Sequence, residues 1–170
     1  MKQHKGMRPQ DIVILLKIAA KADASWLMKD LAHELGISAS EVSESLHRSM
    51  VAGLIAQDKK RLMRQSLLEF LEHGLGYVYP EQPGGLVRGL PTAHSARPIS
   101  ELIVSEEPYV WPFANGQVRG QAIGPLHPKV PEACLRDEQL YELMALCDVL
   151  RLGKVREKQL AVVELKKRLL

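Results

Sequence analysis

A helix–turn–helix pattern in residues 26–55 constrains the fold more than any other part of the sequence, WLMKDLAHELGISASEVSESLHRSMVAGLI. Gly36 falls where the first helix must end, because glycine tolerates the left-handed conformation of a helix stop. Ile37 is predicted to point inward between the two helices. Ser38 and Glu41 form an S-x-x-E capping box, which begins the second helix by satisfying its free amide groups.

The second helix has an apolar stripe and a polar face. Val42, Leu46 and Met50 recur at four-residue spacing and supply the buried stripe. The outward positions are then Ser40, Ser43, Glu44, His47, Arg48 and Val51. Ser, His and Arg side chains can hydrogen bond to base edges, and a helix fits the major groove of DNA. Glu opposes phosphate unless it accepts from a cytosine amino group, so a solvated or protein-binding face is the alternative.

A short basic hairpin is predicted after this helix. Residues 54–55 and 62–63 are its expected arms, and Asp58 and Lys59 its tip. The positive charge is carried by Lys59, Lys60, Arg61 and Arg64. Basic side chains on such a hairpin commonly lie along the DNA backbone and give affinity without sequence information. A solvated charged turn is the alternative interpretation.

The run LAHELGISASEVSESL, closed by AGLI at residues 52–55, resembles the winged helix-turn-helix of bacterial MarR-type and related regulators. In that family the AGLI element ends the recognition helix, here at Gly53, and begins the wing. The resemblance covers residues 1–75 and implies a DNA-binding transcriptional regulator. Winged helices also serve as protein-interaction modules, so the fold alone does not decide the function.

The middle of the chain is rich in proline and glycine. Nine of the ten prolines fall between residues 80 and 131, which excludes long helices there. Residues 75–131 also hold five aromatic residues, Tyr77, Tyr79, Tyr109, Trp111 and Phe113. These aromatic residues need a core, so we expect an ordered, loop-rich segment that wraps the helices. Short strands are predicted at residues 109–111 and 118–123.

Two short runs in this segment resemble each other. GLVRGL at residues 85–90 is similar to GQVRGQ at residues 116–121. One interpretation is a pair of glycine-bounded turns, each with an exposed arginine. The other is a pseudo-symmetric pair of loops that presents Arg88 and Arg119 to an anion or to the carboxylates of a partner.

Two helices are predicted at the C-terminus. Asp137 is the expected N-cap of the first helix. Its predicted buried stripe is Leu140, Leu143, Met144, Cys147 and Leu150. Gly153 ends that helix, and residues 154–169 form the next, in a region with seven basic residues between 151 and 168. A solvated basic face is the default interpretation, and a dimerisation arm, a partner-binding hairpin or a phosphate-contacting surface are the alternatives.

Composition excludes several classes of protein. The net charge of +3 is mildly basic, and an aromatic content of 5% argues against a surface that stacks single-stranded bases. Two cysteines, Cys134 and Cys147, cannot make a disulfide framework and fit a reducing cytosol. No membrane span or signal peptide is recognisable, so a cytoplasmic protein is expected. Metal-ligand spacings and nucleotide-binding or nucleophile motifs are missing, so neither an enzyme nor a cofactor is expected.

The sequence therefore predicts a mainly α fold in two parts. Residues 1–75 form a winged helix-turn-helix domain with a short wing, and residues 76–170 form a loop-rich Pro/Gly middle segment and a C-terminal helical pair packed on it. The expected function is a sequence-specific regulator of double-stranded DNA, a homodimeric repressor. Its base-reading residues would be Ser40, Ser43, Glu44, His47 and Arg48, and its phosphate contacts Lys59, Lys60, Arg61 and Arg64. The alternative is an adaptor or antitoxin-like module that uses the winged helix structurally and binds a protein from the same operon.

Overall fold

The computed structural model describes residues 6–105 and 107–170 and is mainly helical, with one small sheet. The helices are α1 (Pro9–Ala20), α2 (Met28–Leu35), α3 (Ala39–Val51), α4 (Arg64–His73), α5 (Leu75–Val78), α6 (Val130–Leu135), α7 (Glu138–Leu152) and α8 (Val155–Leu169). The strands are β1 (Leu86–Pro91), β2 (Tyr109–Pro112) and β3 (Val118–Ala122). Two 3-10 turns, Ala93–Ser95 and Ile99–Glu101, follow β1.

Helix α1 begins at Pro9 and ends at Ala20. Pro9 occupies its first turn, where a missing amide proton costs nothing. Asp11 accepts a hydrogen bond from the backbone N–H of Arg8 at 2.8 Å, which caps the helix start. Every residue from Asp11 to Ala19 is buried. A helix that is apolar on all sides must be covered on all sides, so α1 lies inside the fold and not on its surface.

Helix α7 is the centre of the molecule. The backbone N–H of Leu140 donates to the carboxylate of Asp137 at 3.0 Å, so the predicted N-cap is confirmed. The predicted stripe is buried, but so are Ala145, Leu146, Asp148 and Val149 on the other sides of the helix. Helices α1, α5, α6 and α8 and the 3-10 turn Ala93–Ser95 all pack on α7. One hydrophobic core therefore contains residues from both halves of the chain.

The proline-rich segment contains a closed sheet of three strands. Strand β1 pairs antiparallel with both β2 and β3, and β2 and β3 pair parallel to each other. The strands predicted at residues 109–111 and 118–123 are confirmed as β2 and β3. Strand β1 was not predicted, because Gly89 and Pro91 within it, and Gly85 before it, are typical of turns. Helix α6 was not predicted either, although a proline is tolerated in the first turn of a helix, as Pro131 is here.

Most of the aromatic residues in this segment are covered. Trp111 is fully buried, and Tyr79 and Tyr109 pack against the core. Tyr77 is 88% exposed, so the prediction that it needs a core is wrong. The physical reason is that α5 is a single turn of helix, in which only Leu75 faces inward.

Asp148 of α7 links the sheet and the helices. Its carboxylate accepts hydrogen bonds from Trp111 Nε1 at 2.7 Å, Thr92 Oγ1 at 2.6 Å and Arg151 Nη1 at 2.9 Å. A buried charge needs such partners, because an unpaired one is strongly destabilising. None of the helices within the described ranges is both long enough and apolar enough to span a membrane.

Candidate nucleic-acid interface

The turn between α2 and α3 has the geometry that its sequence predicts, except that within the described residues only the Ser38 half of the capping box forms. Gly36 adopts a left-handed conformation with φ of 67°, and the N–H of Ile37 donates to the carbonyl of Ala32 at 3.1 Å. Ile37 is buried beneath the turn. The hydroxyl of Ser38 accepts the N–H of Glu41 at 3.3 Å and so caps α3. These local contacts fix the direction in which α3 leaves α2.

The inner face of α3 packs on the helices behind it. Val42 and Leu46 are buried as predicted, and Met50 is partly buried against the same core. Ser45 and Ser49 are also fully buried, and α3 packs on both α1 and α2. Small side chains at buried positions of a helix allow close packing. Together, these contacts hold α3 in place and leave its opposite face to solvent.

The outer face of α3 carries most of the predicted base-reading residues. Ser40, Ser43, Glu44 and His47 are all exposed, and so is Val51. Hydroxyl, carboxylate and imidazole groups on one helix face can donate to and accept from the edges of bases. Glu41 is exposed too, so the negative charge of two glutamates stands beside a single histidine on this face.

Arg48 is not on that face, so the prediction that it points outward is wrong. Its side chain is buried, with 8% of its surface exposed, and it forms a paired hydrogen bond with Asp11 of α1. The distances are 2.9 Å from Nε to Oδ2 and 2.8 Å from Nη2 to Oδ1. This hydrogen bonding raises the pKa of Arg48 further above its ordinary value. The guanidinium is committed to a buried carboxylate and is not available to a base.

One sequence signal pointed to this pair. Asp11 is the only acidic residue of α1, and a buried carboxylate requires a cation. Its place in the first turn of the helix also suits a carboxylate, because a negative charge there favours the helix dipole. Both roles hold in the structure, since Oδ2 accepts from Arg8 and from Arg48 while Oδ1 accepts from Arg48 alone.

The predicted hairpin follows α3. Gly53 is left-handed with φ of 80°, and the next residues pair across the hairpin through the bridge between Ile55 and Leu62. At the tip, the carboxylate of Asp58 accepts the N–H groups of Lys60 at 2.8 Å and Arg61 at 3.1 Å. These two hydrogen bonds lower the pKa of Asp58, so it stays ionised and holds the turn closed.

The three basic residues of the hairpin differ in their surroundings. The ammonium of Lys60 lies 4.2 Å from the ring centroid of Trp26 and donates to the carbonyl of Trp26 at 3.2 Å. A cation over an indole face is held in place while it remains exposed. Neither Lys59 nor Arg61 forms an ion pair among the residues that the structure describes. Their charges are therefore open to an external anion.

Arg64 does not belong to the hairpin, contrary to its predicted place among the phosphate contacts. It is the first residue of α4, is partly buried, and donates through Nη1 to the carbonyl of Leu169 at 3.3 Å. That carbonyl is one of the free groups at the end of α8, so Arg64 satisfies a helix terminus. The α3–hairpin surface is accordingly defined by the exposed face of α3 and the hairpin tip: Ser40, Ser43, Glu44, His47, Lys59, Lys60 and Arg61.

Metal or thiol chemistry has no visible site in the described part of the chain. No group of three or more His, Cys, Asp or Glu side chains there is arranged to hold a metal ion. Cys134 and Cys147 are free and buried, and burial raises the pKa of both thiols. A buried, protonated thiol is a poor nucleophile.

No family model, curated protein or solved structure matches this chain. What the α3–hairpin surface can do therefore follows from its own side chains and their geometry.

Proposed function

We propose that this chain is a transcriptional regulator that binds double-stranded DNA through a winged helix-turn-helix. The observation that carries the proposal is the α3–hairpin surface. An exposed polar helix face, fixed by the Gly36 turn, lies in the same substructure as a basic hairpin held by Asp58. A recognition helix enters the major groove in proteins of this class, and an adjoining basic element contacts the backbone.

Each part of the surface has its own role in this proposal. Ser40, Ser43, Glu44 and His47 read base edges from α3. Lys59, Lys60 and Arg61 contact phosphates and supply affinity without specificity. The ring of Trp26 holds the ammonium group of Lys60 in one position, so that this group is already ordered in the absence of DNA.

A homodimeric repressor is the assembly that suits this mode of binding. Helix-turn-helix proteins commonly bind as dimers to two half-sites about one helical turn apart. The exposed apolar residues Val155 and Val163 of α8 are candidates for the dimer contact. Arg168 of the same helix is not a candidate for the dimer contact, because its guanidinium is already paired with Glu142 and Glu164.

Binding of labelled duplexes at several salt concentrations tests the proposal. Fragments from the promoter of the chain's own gene should bind more tightly than random duplex. Three phosphate contacts per subunit predict that log affinity falls with log salt at a slope of about −2.7 per subunit. Lys59→Ala should reduce the steepness of that slope by about 0.9. Lys158→Ala, at an exposed lysine of α8, is the matched control and should leave the slope unchanged.

Promoter fragments that bind no more tightly than random duplex would overturn the specific-regulator proposal. A slope that Lys59→Ala and Lys158→Ala change equally would remove the hairpin from the interface.

The second candidate function is an adaptor or antitoxin-like module. The burial of Arg48 favours it, because the exposed face of α3 then has Glu41 and Glu44 and no arginine. Under this alternative, the α3 face meets a basic surface of a protein encoded in the same operon. Co-purification of that protein with the chain, abolished by Glu44→Lys and unaffected by Lys59→Ala, would support this alternative over DNA binding.

A further inference from the structure

Strands β1 and β3 contain the two similar runs of the sequence and place their arginines side by side. The runs at residues 85–90 and 116–121 pair antiparallel, and Arg88 lies directly opposite Arg119 in the register. The two arginines were predicted on loops, and they lie instead on neighbouring strands. Opposite residues of an antiparallel pair share a face of the sheet, with Cβ atoms about 5 Å apart.

Three glycines in and beside these strands allow the backbones of the sheet to approach closely. A Cβ atom on Gly89 would lie 1.9 Å from the carbonyl oxygen of Trp111, and one on Gly116 would lie 2.3 Å from that of Gly89. On β3, a Cβ atom on Gly120 would lie 2.6 Å from the carbonyl oxygen of Pro108. The backbones therefore touch where side chains would otherwise separate them. This tight sheet is a rigid base for the two arginines.

The arrangement is electrostatically unfavourable as it stands. Like charges directly opposite each other on a sheet destabilise it. Both Arg88 and Arg119 are exposed, and neither forms an ion pair or a side-chain hydrogen bond with residues 6–105 or 107–170. The nearby carboxylate of Glu107 accepts a hydrogen bond from Gln121 Nε2 at 2.8 Å. An anion bound between the two guanidinium groups would turn their repulsion into a joint attraction.

The space beside the arginines suits a small ligand. A groove of about 480 Å³ is lined by both of them and by Leu86, Val87, Gly116, Gln117 and Val118. Small-molecule sites commonly have volumes of about 300–1,000 Å³. Each guanidinium offers a planar fork of donors. A carboxylate has two oxygens and satisfies one fork, whereas a phosphoryl group has enough oxygens for both.

We propose that Arg88 and Arg119 form a binding site for a phosphoryl group. The two guanidinium groups bind it from adjacent strands, and Gln117 lies within the same groove. This site is separate from the α3–hairpin surface in its residues, and it does not depend on the proposed regulatory function. A small phosphorylated compound and the backbone of a nucleic acid present the same phosphoryl chemistry.

Calorimetric titration of the full chain at low ionic strength tests this site with pyrophosphate as the probe. Acetate serves as the carboxylate comparison, and a random-sequence duplex reports on nucleic-acid phosphates. Saturable binding of pyrophosphate is expected, and Arg88→Ala and Arg119→Ala should each weaken it by about tenfold. Arg156→Ala removes a charge from an exposed position of α8 and is the matched control. Thermal melts of all variants confirm that they are folded.

The outcomes separate the two sources of the phosphoryl group. Weaker pyrophosphate binding with unchanged duplex binding assigns the site to a small phosphorylated compound. Weaker binding of both probes assigns it to nucleic-acid phosphates. The proposal is overturned if Arg88→Ala and Arg119→Ala match Arg156→Ala with both probes, or if acetate binds as tightly as pyrophosphate. If the chain fails to bind its promoter specifically, the proposed regulatory function is wrong, but the conclusion from pyrophosphate binding does not change.

Discussion

The indole Nε1 of Trp111 donates a hydrogen bond to the carboxylate of Asp148 at 2.7 Å, across 37 residues of sequence. Trp111 is 0% exposed and Asp148 is 1% exposed, so water does not compete for this contact. The bond attaches β2 to the central helix α7. It gives the proline-rich segment a fixed position on the helical core, which loop residues alone would not provide.

We expect Asp148→Ala to be among the most destabilising single substitutions in the chain. It leaves the donors of Trp111 and Thr92 without their acceptor and removes the shorter of the two ion pairs of Arg151. Removing one partner of a buried pair costs about 3–5 kcal/mol. Trp111→Phe removes one donor and retains most of the packing, so its effect should be smaller. Urea denaturation measures both variants, with the exposed Asp23→Ala as control. Equal stability of Asp148→Ala and Asp23→Ala would contradict this role.

The pair of Arg48 and Asp11 predicts a stability effect where a base contact would predict a binding effect. Arg48→Ala leaves the buried Asp11 carboxylate unpaired and should lower the free energy of unfolding by about 3–5 kcal/mol. The double variant Arg48→Met with Asp11→Leu should recover most of that loss, because it removes both charges. Denaturant titrations of the single and double variants measure this coupling.

His47→Ala is the matched control for Arg48→Ala, since His47 is adjacent in sequence but lies on the exposed face of α3. It should alter stability by no more than about 0.5 kcal/mol while lowering affinity for the promoter site. If Arg48→Ala leaves stability unchanged and lowers only promoter affinity, the buried ion pair is not its role.

We expect the folded protein to lose stability in acid as Asp137 becomes protonated. Burial by itself would raise the pKa of Asp137, but hydrogen bonds from Lys17 and from the N–H of Leu140 outweigh it and place the pKa below 3.8. The stabilising contribution of the carboxylate is therefore complete above pH 3.8 and is lost as the pH falls through the lowered pKa. Asp137→Asn retains a capping group but loses the ion pair with Lys17.

The expected result is a cost of about 2 kcal/mol at neutral pH and a shallower decline of stability in acid than in the unmodified chain. Thermal melts between pH 2 and 7 test this, with Asp23→Asn as an exposed comparison. Parallel pH profiles for Asp137→Asn and the unmodified chain would show that Lys17 does not stabilise the ionised carboxylate.

Alanine should destabilise the protein at one of two neighbouring glycines in the first part of the sheet and have little effect at the other. Gly89→Ala places a Cβ atom 1.9 Å from the carbonyl oxygen of Trp111, and the overpacking should cost about 3 kcal/mol. Gly85→Ala has no atom within 4 Å of the added Cβ, and it should change stability by no more than about 0.5 kcal/mol. Denaturation midpoints compare the two directly. Similar midpoints would mean that the three strands are less tightly packed than this geometry requires.

Local signals in the sequence predicted the parts of the fold that depend on neighbouring residues. Gly36 and Ser38 set the turn before α3, and Asp137 caps α7, because each acts on backbone groups within a few residues. The tip of the hairpin follows the same rule, since the carboxylate of Asp58 accepts hydrogen bonds from the backbone N–H groups two and three residues later. Periodicity likewise located α3 and α7.

Long-range relationships could not be read from the same signals. The position of Arg48 depends on Asp11, 37 residues earlier, and only the crossing of α1 and α3 brings the two together. Strand β1 contains Gly89 and Pro91, which are typical of turns, and it forms a strand because β2 and β3 pair on either side of it. Helix α7 showed one apolar stripe, but Asp148 is buried because its partners come from the sheet and from Arg151.

Helix α1 carries two ion pairs that face different neighbours, one buried and one partly buried. Asp11 binds Arg48 of α3, and Lys17 binds Asp137 at the start of α7 at 2.6 Å. Six residues of helix separate the two along the axis by about 9 Å and around it by about 120°. Neither α3 nor α7 can slide along α1 without separating a charged group of α1 from its partner. Helix α1 therefore fixes the positions of both helices relative to itself.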